Sequence, residues 1–331
     1  MRPTLPTPVR RALGFGLRRP RLLLAPAAAV LLTAIAYAGT SIYIASTMVA
    51  ERRVPVSHTP RDLGLAYRDV TFPARDDGTD VRGWLIPGVR PDGTLTAERV
   101  ILVVPGKDSN RADAEIGLLD LSAALARDGF AVLAFDMRGT GDSADAPFTG
   151  GLHEQRDVLG AVDFLRAGPL PYPELGRPRA IGGLGISLGG QSLLYAAARE
   201  PGIRAVVSDS AIAEVLPIVE ARIPNPANLR GVFEPGALLA ARLLYGIDYD
   251  AIHPTDAAAG LAPRPLFLIH GSDDTASLPV NLDRLASAAR QAPGARVQTW
   301  LVPGAGHGKA YQTAGSEYLS RVVAFFDAAL S

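Results

Sequence analysis

The sequence predicts an α/β domain, a doubly wound and mostly parallel sheet with helices on both faces and a small cap insertion, preceded by a membrane-spanning helix. Three observations carry this. Short apolar runs such as Val100 to Val104, Phe130 to Phe135 and Ala180 to Ile186 alternate with helical patterns, as strands covered on both faces do. A Gly-x-Ser-x-Gly sequence, Gly185 to Gly189, stands where one such strand would turn into a helix. Ahead of all this, Leu22 to Ala50 holds no charged residue over 29 positions.

The amino-terminal stretch would reach about 43 Å as a helix, more than the roughly 30 Å hydrocarbon core. Arg2, Arg10, Arg11, Arg18, Arg19 and Arg21 precede it with no acidic residue. That bias keeps the amino terminus in the cytoplasm and sends the rest across. Residues 1–21 are therefore expected to be a basic cytoplasmic leader and 22–50 a single-pass anchor in the cell membrane. The competing reading is a cleaved signal, because Ala36, Tyr37 and Ala38 form an Ala-x-Ala pattern. Apolar character continues for twelve residues past that point, further than such a signal runs, which favours the anchor. Cleavage after Ala38 would secrete the protein, and in both cases the rest lies outside the cytoplasm.

Composition excludes some functions. With 33 basic and 33 acidic residues the net charge is zero, against a nucleic-acid partner. With no cysteine among 331 residues, disulfides and thiolate metal sites are ruled out. The 48% hydrophobic content supplies the core of one large domain, placed at 66–331.

Residues 51–65 are polar and Pro-containing, and read as a linker. Tyr67 to Phe72 and Val81 to Ile86, around Asp76, Asp77 and Gly78, read as a hairpin. After the strand Val100 to Val104 comes a helix over Ala114 to Arg127, with Ile116, Leu119, Leu121, Ala124 and Leu125 on one stripe. The strand Phe130 to Phe135 is followed by a helix over His153 to Ala167, closed by Gly168 and Pro169. Then come strand Ala180 to Ile186, helix Leu188 to Arg199, strands Ile203 to Val207, Pro265 to Ile269 and Val297 to Leu301, and a closing helix Tyr318 to Leu330. Residues 211–262 interrupt the rhythm, Pro-rich at first, with one helical piece at Gly236 to Tyr245. They read as a cap over the site.

In such a sheet, function gathers past the carboxyl ends of the strands. Ser187 follows one strand end, Asp273 and Asp274 another, and His307 the last, in the order serine, acid, histidine. His58 and His153 precede the serine turn, His253 lies in the cap and His270 ends a strand as a packing or turn residue, which leaves His307 as the base.

From about Arg68 onward the chain resembles the α/β-hydrolase superfamily, most closely its membrane-anchored, dienelactone-hydrolase-like esterase branch. The match includes the serine turn, Asp136-x-Arg138-Gly139-x-Gly141-x-Ser143, His270-Gly271 with Asp274, His307 between two glycines, and Gly83-Trp84-Leu85-Ile86-Pro87. The resemblance implies that Ser187 is the nucleophile, His307 the base and Asp274 the acid, with Asp273 and Asp209 as alternatives for the acid. Leu278-Pro279 close the acid loop one residue later than in the family. The backbone N–H groups of Leu188 and Lys107 would form the oxyanion hole. Pro105-Gly106 stand where many relatives have His-Gly. Lysine occurs only at Lys107 and Lys309, against 31 arginines, both beside proposed site loops; the alternatives are surface charge and contact with an anionic group or a nearby acid such as Asp108. Asp136 and Arg138 are expected to form a structural ion pair that braces their loop. Glu154 and Asp157, three apart, are expected on a solvated face rather than at a metal.

The function implied is a serine hydrolase that cleaves an ester or thioester of a small or lipid-like acyl group, without cofactor or metal. An acyltransferase or peptidase would use the same three side chains, and a non-catalytic binding protein could share the frame.

Overall fold

The structure, a computed structural model, describes residues 21–215 and 230–331. The leader through Pro20 and residues 216–229, in the Pro-rich part of the expected cap, lie outside the described residues.

Eight strands form one sheet in the order β1 (Arg68–Pro73), β2 (Asp80–Ile86), β6 (Ala131–Phe135), β5 (Arg99–Val104), β7 (Ala180–Ile186), β8 (Ile203–Asp209), β9 (Pro265–Gly271) and β10 (Arg296–Val302). β1 and β2 pair antiparallel, as does β2 with β6, and every later pairing is parallel. A separate short ribbon joins β3 (Gly88–Val89) to β4 (Leu95–Thr96). The predicted strands are present, β8 and β9 each running two residues further than their apolar runs.

The helices divide between the two faces. α3 (Glu154–Ala167), α4 (Leu188–Arg199), α6 (Pro254–Ala259) and α7 (Val280–Arg290) cover one, while α2 (Leu118–Arg127) and α9 (Ser316–Leu330) cover the other, with short α8 (Ala310–Ala314) beside them. β5 shows why its run is continuously apolar. Val100, Leu102 and Val104 enter the first core and Ile101 and Val103 the second. α2 begins four residues later than predicted, because Gly117 takes φ 67° and Ala114 to Ile116 form turns before it.

α1 (Arg21–Met48) and α5 (Arg230–Tyr245) build a third core. Ile44, Ala45, Met48 and Val49 bury against Ala237, Ala240 and Ala241 of α5, with Val215, Ile247 and Ile252. The ring of Tyr37 stacks on Phe233 at 5.6 Å and its hydroxyl donates to the Val232 carbonyl at 3.0 Å. The insertion holds more helix than expected: α5 starts ahead of Gly236, and α6 adds to it.

Residues 51–65 are tied down along their length. Arg53 donates to the Ser143 carbonyl at 2.8 Å, Asn110 Nδ2 donates to the Val54 and Pro55 carbonyls at 3.1 and 3.2 Å, and Pro60–Leu63 form a 3₁₀ turn.

Candidate active site

Ser187 stands where β7 turns into α4, with φ 56° and ψ −120°. A side chain held at positive φ is strained, so the surroundings must fix it. The glycines do so by permitting close approach. A Cβ on Gly185 would lie 2.4 Å from the Gly189 backbone, and one on Gly189 would lie 2.2 Å from the Val104 carbonyl oxygen. The Ser187 N–H donates to the Asp209 carbonyl at 2.8 Å, tying the turn to the end of β8.

His307, past the end of β10, reaches the same point. Its Nε2 is 2.8 Å from Ser187 Oγ and its Nδ1 2.8 Å from Asp274 Oδ2. An ionised carboxylate only accepts, so Nδ1 carries the proton and Nε2 is left to accept from the serine hydroxyl. Backbone bonds hold the acid and histidine loops together: Asp273 N–H donates to the Ala305 carbonyl and Ser272 N–H to that of Val302, both at 2.9 Å.

Asp274 is buried, and its Oδ1 accepts N–H groups from Ala276 at 2.9 Å and Ser277 at 2.8 Å. Burial alone would push this carboxyl up. Hydrogen bonds from His270, His307 and the Ser277 N–H outweigh it and hold the group well below the usual carboxylate range. Asp273 is exposed and accepts from Ser272 Oγ at 2.7 Å. Asp209 accepts from the hydroxyls of Ser210 at 2.9 Å and Tyr318 at 3.1 Å, and burial raises it to about 6. Of the three carboxylates, Asp274 is the one that bonds His307.

Sequence reasoning underrated His270. It is buried, its Nε2–H donates to the Ser277 carbonyl at 2.6 Å, and the same nitrogen lies 3.3 Å from Asp274 Oδ2. It braces the acid loop as well as packing. The signal available was its place four residues before Asp274.

The loop after β5 lies against the serine: a Cβ on Gly106 would come within 3.3 Å of Ser187 Cβ. Lys107, Phe148, Leu188, Gln191, Ile212 and Val215 line the cavity beside Ser187 and His307. The lysine turns to neighbouring groups. Its Nζ donates to the Ala50 carbonyl at 2.8 Å, lies 3.3 Å from Asp108 and 3.8 Å from Glu51, and sits 4.8 Å over the Phe148 ring. Burial pushes Glu51 up to about 7 despite this ammonium. A residue read as part of a linker is thus packed behind the loop that follows β5. Lys309, half-buried, pairs with the exposed Glu115 at 3.2 Å.

The Asp136 to Ser143 loop needs a correction in detail, because Asp136 and Arg138 take different partners. Asp136 bonds the Arg111 guanidinium, and Arg138 pairs with Asp157 at 2.7 Å and Asp77 at 2.8 Å. Glu154 and Asp157 are not on a solvated face. Both are buried: Glu154 accepts the N–H groups of Thr149 and Gly151, each at 2.7 Å, and Asp157 answers Arg138. A helix pattern alone does not show that the preceding loop folds back over its first turn. No group of residues suited to a metal ion is present among the described residues.

A family model for the X-Pro dipeptidyl-peptidases of the S15 family matches residues 27–235. The chain belongs to this family. The matched span holds the serine turn and the Asp136 loop and ends before Asp274 and His307. Among solved structures, an esterase of Pyrococcus furiosus superposes with a TM-score of 0.67 at 25% identity, over 86% of this chain and 100% of that one. The α/β-hydrolase GrgF of Penicillium sp. sh18 gives 0.60 at 18%, over 80% and 99%. Est1E of Butyrivibrio proteoclasticus, with ferulic acid bound, gives 0.57 at 17%, over 78% and 99%. No curated protein matches the chain. The architecture is the α/β-hydrolase fold, and the S15 chain is a serine hydrolase of that superfamily.

Proposed function

We propose that this protein cleaves carboxylic esters or thioesters through an acyl-enzyme intermediate formed on Ser187. The single observation that supports this most is the unbroken chain from Ser187 Oγ through His307 to Asp274, with both hydrogen bonds at 2.8 Å. In this mechanism Oγ attacks the carbonyl carbon while His307 Nε2 takes its proton. The imidazolium, steadied by the ionised Asp274, then protonates the leaving group, and a water repeats the sequence to free the acid. The N–H groups of Leu188, at the start of α4, and Lys107 would hold the oxyanion. The domain would be fixed outside the cytoplasm by the apolar helix that Ala25–Met48 forms, with the arginine-rich leader inside.

The family description favours a second reading, release of dipeptides from peptide amino termini. Such a substrate presents a free ammonium group, whose capture calls for a carboxylate in the cavity. Among the described residues lining it, Lys107 is the one acidic or basic side chain besides His307, and it is cationic. This supports an uncharged or anionic acyl group instead. The full chain in detergent should hydrolyse p-nitrophenyl acetate well above its rate on an X-Pro p-nitroanilide, and Ser187→Ala should lose at least about 10³-fold in kcat on the ester. Wild-type turnover in that variant would discard the nucleophile, and a preference for the anilide would favour the peptidase.

A further inference from the structure

From Ala25 to Ala36 every side chain of α1 is exposed, and Val30, Leu31, Leu32 and Ile35 are more than half so. An apolar helix bare on all sides has hydrocarbon as its natural surroundings. Yet Leu22 to Ala36 supplies only about 22 Å of the roughly 30 Å needed. The missing 8 Å or so is about five residues, Tyr37 to Ser41. These are the residues on which α5 lies: Phe233 and Val232 meet Tyr37, and a Cβ on Gly236 would fall 2.3 Å from Ser41 Oγ. The two helices run in the same direction, with Ser41 and Ala45 meeting Gly236, Ala237, Ala240 and Ala241, the small-residue contact that helices adopt in lipid. The outer side of α5 then carries Val232, Leu239 and Leu243, 53%, 56% and 74% exposed, on one uncharged stripe.

We propose that α5 lies in the outer leaflet beside α1, and that the substrate is an amphiphilic ester taken from that leaflet. The second half rests on the hydrolase reading. Val49, about 12 Å beyond Ser41, stands just past the headgroup zone, and its carbonyl accepts the N–H of Phe148, which lines the cavity. Ile212 and Val215 line the cavity and also pack on the α1–α5 core. An apolar surface therefore runs from the bilayer to Ser187, and an acyl chain can follow it while its ester waits at the headgroups.

The absence of native cysteine makes the test clean. Single cysteines replace Ile35, Leu239, Leu243 or Leu301 in the full chain, carry an environment-sensitive fluorophore, and are read in phosphatidylcholine vesicles with spin-labelled acyl chains. Leu239 and Leu243 stand about 5 and 10 Å beyond the level of Ser41, at the headgroups. The expected result is therefore a blue shift and quenching by lipid labels near the headgroups at both positions, shallower than at Ile35, with none at Leu301 on β10. Quenching of the α5 labels by aqueous iodide and not by lipid overturns the placement. In the same vesicles, Leu239→Glu with Leu243→Glu should leave p-nitrophenyl acetate hydrolysis within about twofold and cut hydrolysis of bilayer-dissolved p-nitrophenyl palmitate at least about tenfold. Equal loss on both esters, or none on the palmitate, overturns the delivery route. A wild type inactive on both esters instead fails the hydrolase reading, and the labels still decide where α5 lies.

Discussion

At the scale of the residue, the candidate site is a set of protonation states chosen by neighbours. Asp274, buried but supplied with donors, stays ionised, and so the proposed base keeps its proton on Nδ1. Asp274→Asn preserves the shape but presents an amide that can donate to Nδ1, which would turn the free proton toward the serine. The expected loss is about 10³- to 10⁴-fold in kcat with KM little changed, read on a p-nitrophenyl ester; a loss confined to KM would contradict the role. Glu51 is the opposite case. Facing Lys107, Asp108 and Glu154, it is raised by burial from 4.5 to about 7. Between those values the folded chain holds a proton that the unfolded chain has released, so stability falls as pH rises through this window and the deficit is complete above it. Glu51→Gln should therefore gain on the wild type by up to about 3 kcal/mol between about pH 5 and about pH 8, measured as urea midpoints in detergent. Parallel pH profiles for the two proteins would refute it.

At the scale of the element, the turn from β7 to α4 shows what a sequence discloses. Glycines at positions 185 and 189 were readable because the nearest obstacles are backbone atoms, which no choice of side chain can move. Gly189→Ala should cost about 3 kcal/mol or more, since its methyl meets the Val104 and Pro105 carbonyl oxygens at 2.2 and 2.4 Å. A thermal melt unchanged from wild type would show that the turn opens freely. Strands were legible for a related reason: β5, covered on both faces, can only be apolar throughout. What escaped was the partner of each buried charge. Arg138 could be seen to need an acid, but its choice of Asp157 and Asp77 over Asp136 depends on how α3 meets the hairpin turn, and no local pattern records that. Glu51 escaped likewise, because a polar, Pro-containing stretch looks the same whether it swings free or lies against Lys107.

At the scale of the whole molecule, the apolar amino-terminal helix is part of the domain's architecture. Ile44, Met48 and Val49 are buried against α5 and its neighbours, and full burial of three such side chains contributes on the order of 5 kcal/mol, comparable to the net stability of a domain. Every one of these residues follows Ala38. A chain begun at Gly39, as cleavage there would leave it, keeps this core and gives up only the Tyr37 contacts with α5. A chain begun at Glu51 exposes the far side of the core and also loses the Ala50 carbonyl that holds Lys107. The expectation is that the Gly39 chain melts within a few degrees of the full chain in mild detergent and hydrolyses p-nitrophenyl acetate at a similar rate. The Glu51 chain should lose roughly 5 kcal/mol by denaturant titration, aggregate without detergent, and lose activity as the Lys107 loop, the proposed oxyanion loop, is displaced. Equal stability of the two shortened chains would mean that α1 merely tethers the enzyme, and the seam between α1 and α5 would then carry no part of its fold.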